Sequence, residues 1–203
     1  MYHGERLNSI THLVGTVLAV AGAAVLIVHA ALQGDPWRIA SFSIFGTMLV
    51  VLYMASTLYH SVRPPLKDTF RRLDHSAIFL LIAGTYTPFA LVSLRGALGW
   101  TMFAAIWAAA LHGIRRAWRR RDDRPQSPLP YALMGWLGMV AVVPLVEAIG
   151  PGGMLWLALG GLLYSAGIPF YANDERWRHA HGVWHLFVIG GSASHFTAVL
   201  FFV

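Results

Sequence analysis

The 203-residue sequence contains no cysteine. Disulfides and thiolate metal sites are therefore excluded. Charge is scarce as well: 12% of residues are Asp, Glu, Lys or Arg, about half the share of a soluble protein. Period-two alternation is missing, which argues against the strands of a membrane barrel. What is abundant is apolar, with 57% hydrophobic residues and a mean hydropathy of +0.57. A soluble domain cannot cover that much apolar surface, so the chain reads as a polytopic membrane protein. The net charge of +6 does not lead us to expect nucleic acid as a partner, because no soluble domain presents the basic residues.

Seven apolar runs follow a short polar lead at 1–12: 13–32, 39–60, 77–94, 97–114, 131–148, 154–171 and 182–203. Each is close to the ~20 residues that cross a bilayer as a helix. The expected fold is a single all-α integral membrane domain, 1–203, of seven transmembrane helices. The first run resembles a signal peptide with a cleavage site near Val28-His29-Ala30. Its lead carries Glu5 and little positive charge, and the run is long enough to span, so we expect it to be retained. Pro88, Pro144 and Pro169 should kink or end helices locally.

Orientation follows from the basic residues. With the N-terminus cytoplasmic, the inner segments hold thirteen of the fifteen, including Arg63, Lys67, Arg71, Arg72 and the run Arg115–Arg124. Only Arg38 and Arg95 fall outside. Such asymmetry predicts N-terminus in and C-terminus out. The run Arg115–Arg124 is also a candidate contact for anionic lipid head groups.

At the predicted cytoplasmic depth, polar side chains collect. His60 ends the second run, Asp74 opens the third helix, and His181 and His185 open the seventh. The last two are four apart, so one helical face presents both. Three imidazoles leaving an open position form the ligand set of a catalytic zinc site, whose water is acidified to a pKa near 7. Asp74 is placed to act as general base or as a fourth ligand, and Ser56, one turn before His60, to orient the water or a substrate oxygen. Iron and manganese accept the same donors, with zinc favoured by ligand type. Each residue also has a plainer reading. Asp74 fits an N-cap paired with Arg71, His60 alone fits a snorkelling side chain, and His-x-x-x-His occurs on interfacial helices. His195 lies ~21 Å along the helix from His181 and cannot share the site; packing in the outer half or an interhelical hydrogen bond is expected of it. His12 is expected to line the entrance. His3 should be solvated, and His75 and His179 point off the proposed face.

The motifs carrying these residues resemble the hemolysin III proteins, the bacterial arm of the progestin and adipoQ receptor family. That family is grouped with membrane hydrolases such as the alkaline ceramidases. Glu5-x-x-Asn8-x-x-Thr11-His12 looks like the family's first motif, and Ser56-x-x-x-His60 its second. Leu73-Asp74-His75 and His181-x-x-x-His185 match the later ones, with Gly84-Thr85-Tyr86-Thr87-Pro88 as in bacterial members. The resemblance implies seven helices in a bacterial inner membrane. It also implies zinc on His60, His181 and His185, Asp74 contacting the zinc-bound water, and Ser56 beside it. By analogy the expected activity is hydrolysis of an amide or ester bond in a membrane lipid, lipids being the expected partners. The alternatives are a non-enzymatic sensor of membrane state with structural zinc, and the cytolytic activity of the family name. A short lead stands where the animal receptors have a long cytoplasmic domain, so no hormone-receptor role is expected.

Overall fold

The computed structural model describes residues 4–119 and 126–203. His3 and the later part of the basic run, including Arg120, Arg121 and Arg124, lie outside the described residues. Among those described there is no strand. In chain order the helices are α1 (Arg6–Gln33), α2 (Pro36–Ser61), α3 (Lys67–Pro88), α4 (Ala97–Arg119), α5 (Leu129–Trp136), α6 (Val142–Ala172) and α7 (Ala180–Phe202). A π-helical turn, Phe89–Ser93, continues α3, and a 3-10 segment, Leu137–Ala141, joins α5 to α6. Among the described residues, six helical stretches are long and apolar enough to cross a membrane: Arg6–Gln33, Pro36–Ser61, Lys67–Ser93, Ala97–Arg119, Leu129–Ala172 and Ala180–Phe202.

Helix ends have local causes. Gly34 adopts φ 71° and donates its N–H to Ala31 O, a left-handed stop that glycine takes at no steric cost. The Asp35 side chain then accepts from Trp37 N, with Pro36 at the first position of α2. Pro88 cannot donate an N–H, and the helix loosens into its π turn directly afterwards.

The 44-residue stretch Leu129–Ala172 is not one rod. Gly150 interrupts it at φ 67°, ψ 174°. Trp136 Nε1 donates to Ser165 Oγ at 3.0 Å, whereas a straight helix would hold those residues ~43 Å apart. The stretch therefore doubles back, and the reversal falls in the gap between the expected runs 131–148 and 154–171.

The bundle's outer surface is apolar, with Leu32, Val140, Leu155 and Phe201 exposed, as lipid contact requires. Its interior is built around Phe42, Phe45, Leu26 and Val199. The most enclosed helix is α3, two thirds buried over its apolar window. Several boundaries differ from the sequence expectation, those of α1 and α3 most at the start. Hydropathy marks where a helix meets hydrocarbon, but helices α1 and α3 continue beyond it into polar surroundings. The motif Glu5–His12 is thus part of, or adjoins, α1 instead of forming a separate lead. Asp74 sits two turns inside α3, buried, and does not cap it.

Candidate metal centre

His60 is the second-to-last residue of α2, and His181 and His185 occupy the first turns of α7. Packing of α2 and α7 around α1 brings the three rings together. Their centroids are separated by 4.8 Å (His60–His181), 5.1 Å (His60–His185) and 4.7 Å (His181–His185). One ring nitrogen from each lies within 4.8 Å of the others. Donors bonded at ~2 Å to one tetrahedral ion lie ~3.3 Å apart, so small side-chain shifts would bring these three onto a common cation.

The hydrogen bonds behind the rings decide which nitrogen faces inward. His60 Nδ1 lies 2.7 Å from Glu5 Oε2, and His181 Nδ1 2.9 Å from Asp174 Oδ2. His185 Nδ1 lies 3.1 Å from the Asn8 carbonyl and 3.0 Å from Thr11 Oγ1. An ionised carboxylate and a peptide carbonyl can only accept, so each Nδ1 carries the proton. Thr11 spends its own hydroxyl proton on Leu7 O or Asn8 O, leaving a lone pair for His185. In the neutral imidazoles Nε2 is then the nitrogen with the free lone pair. His60 Nε2 is buried with no hydrogen-bond partner among the described residues, an arrangement that costs about 1–3 kcal/mol unless something binds it. The donor set fits zinc, with each outer nitrogen anchored as metal-ligating histidines are.

Burial pushes the Glu5 carboxyl up, but hydrogen bonds from His60, Lys67 and Asn8 outweigh it and hold it well below the usual carboxylate range. Its Oε1 is 2.9 Å from Lys67 Nζ, so the group stays ionised behind its histidine.

Ser56 and Asp74 line a cavity of about 230 Å³ together with His12, His181 and His185. Asp74 is not among the tight nitrogen cluster. It stands on the cavity wall, as does Ser56, one turn before His60 on α2. Along α3 the lining extends from Asp74 to Phe89 and on to Leu94, a rise of roughly 30 Å. The far wall includes Met102, Met154 and His195. Apart from the histidine end, the wall is mainly apolar.

The chain matches a family model described as Haemolysin-III related over residues 1–196. It belongs to the haemolysin III-related family. It is 45% identical over 201 residues to Hemolysin-3 of Bacillus cereus, covering 98% of this chain and 91% of the relative. It is 44% identical over 200 residues to the Hemolysin-3 homolog of Bacillus subtilis (strain 168), covering 98% and 93%. More distantly, it is 29% identical over 198 residues to the monocyte to macrophage differentiation factor of Homo sapiens, covering 95% and 81%.

Several members of the site were hard to read from sequence. His12 lines the cavity, is buried and stacks on His185, centroids 3.5 Å and planes 13° apart. Neither of its ring nitrogens has a hydrogen-bond partner among the described residues. Glu5, Asn8 and Thr11 are spaced by three, which on a helix places them on one face; that periodicity was the available signal. Asp174 lies in the α6–α7 loop and offers no such pattern. His195 behaves as expected, its Nε2 3.1 Å from Leu157 O on α6.

Proposed function

We propose that this protein crosses the membrane seven times as a single domain, with the N-terminus cytoplasmic, and is a zinc-dependent hydrolase of an amide or ester bond in a membrane lipid. Reversal at Gly150 supports seven crossings, since each limb of Leu129–Ala172 is about the length of one span. The basic residues gathered around the α2–α3 and α6–α7 loops support the orientation.

The observation that carries the metal reading is the shared arrangement of His60, His181 and His185, each with Nδ1 set against an acceptor. When bound there, zinc supplies a Lewis acid for a carbonyl and an acidified water. Asp74, on the cavity wall, accepts and returns the proton, and Ser56 orients the polar group under attack. The long apolar cavity supports a lipid substrate: it takes an acyl chain out of water while the linkage lies at the histidine end.

The test is metal analysis of the purified protein together with lipid turnover in mixed micelles. One zinc per chain and release of acyl product by wild type, lost in His185→Ala and Asp74→Ala, is the expected result. Equal turnover by the variants would remove the catalytic reading. The competing reading is a structural clamp joining α2 to α7, favoured by the burial of His60 and His185. It predicts a large loss of thermal stability on zinc removal with no lipid product at any stage.

A further inference from the structure

His60 is held at both ends by residues from the start of the chain. Ser9 Oγ donates to the His60 carbonyl at 2.8 Å, and Glu5 accepts from its ring at 2.7 Å. Since His60 is one residue from the end of α2, the backbone hydrogen bonds that would steady it in mid-helix are running out. The same Glu5 carboxylate accepts from Asn8 Nδ2 at 2.8 Å and from Lys67 Nζ at 2.9 Å. One side chain just before α1 thus ties α1, the end of α2 and the start of α3. Either a rotated His60 ring or the other tautomer would present an N–H or a carbon where a cation needs a lone pair.

We propose that Glu5 is a positioning residue of the metal centre, governing how tightly the ion is kept by holding the His60 ring with Nε2 turned inward. Its charge, placed behind the imidazole, makes that nitrogen a stronger donor to a cation. The inference rests on the metal-binding part of the reading above and not on hydrolysis.

The experiment uses the full-length protein in detergent, as wild type, Glu5→Gln and Glu5→Ala. Each is loaded with zinc, and release into excess chromogenic chelator is followed, alongside melting with and without zinc. Glu5→Ala is expected to bind zinc about 10–100-fold more weakly, the usual effect of removing such a partner, and to release it correspondingly faster. Its zinc-dependent rise in Tm should shrink as well. Glu5→Gln keeps an oxygen that accepts from Nδ1 and should fall between alanine and wild type; it also serves if the alanine variant does not fold. A purely structural Glu5 would lower Tm equally with and without zinc and leave release at the wild-type rate, which overturns the proposal. Wild type that holds no zinc overturns the metal reading itself, visible before any variant is compared. Wild type that holds zinc no tighter than Glu5→Ala overturns this inference alone.

Discussion

His12 lies flat against His185 with ring centroids 3.5 Å apart, and both of its nitrogens are buried without a partner. In the metal-free protein each unpaired polar atom costs about 1–3 kcal/mol. His12→Leu, close in volume and without polar atoms, should therefore raise the Tm of the zinc-free protein. The scale is about 2–4 °C for each kcal/mol recovered in a chain this long. Differential scanning calorimetry or a fluorescence melt decides it. A lower Tm would mean that the stacking of His12 on His185 outweighs the cost of its unpaired nitrogens.

Ligand and cavity-wall residues should separate cleanly. His60→Ala, His181→Ala and His185→Ala are expected to abolish stoichiometric zinc, read by plasma emission spectrometry after dialysis. Asp74→Asn should keep zinc and lose about 10²–10⁴-fold in turnover, the usual contribution of a positioned base. Loss of zinc from Asp74→Asn would make that residue a ligand and change its role.

Thr11→Val tests whether His185 depends on one acceptor or two. The Asn8 carbonyl lies 3.1 Å from the same Nδ1 and remains in the variant. Zinc affinity should then fall by less than about threefold, far short of the 10–100-fold typical when an anchoring partner is lost outright. A loss as large as that would show the hydroxyl to be the principal anchor. Competition with a chelator of known affinity gives the number.

The absence of cysteine makes topology directly measurable. Single cysteines at Glu147 and Val203 should react with a membrane-impermeant maleimide from outside in intact cells. One at Glu175 should react only after the membrane is opened. If Glu175 labels from outside while Glu147 is inaccessible from both sides, Leu129–Ala172 does not return at Gly150 as two crossings.

Close packing of α1 on α2 depends on Gly46. A Cβ built there would lie 2.9 Å from Ala23 Cβ and 3.0 Å from Ala23 Cα; the second is backbone and cannot swing aside. Gly46→Ala should destabilise by about 1–3 kcal/mol, seen as a lowered Tm in the zinc-loaded and zinc-free protein alike. Unchanged Tm would mean the helices separate there without cost.

How much of this was legible in the chain depends on the range of the force involved. The apolar runs, and with them the helical membrane class, are one-dimensional: a helix satisfies its own backbone in hydrocarbon, so length and composition suffice to announce it. His60, His181 and His185 could be nominated for the same reason, since polar groups are conspicuous in apolar sequence and helical spacing aligns two of them. Helix limits were less legible. α1 and α3 continue past the apolar run, because a helix needs hydrogen bonds and not hydropathy to persist, and this left Asp74 two turns inside α3 instead of at the helix start where the sequence placed it.

Tertiary packing alone decided the rest. The contact between Glu5 and His60 spans 55 positions, and that between Thr11 and His185 spans 174; hydrogen bonds act over ~3 Å, so no local pattern foretells them. Which nitrogen each imidazole turns inward is set by those acceptors. The sequence named the candidate ligands, and the fold oriented them.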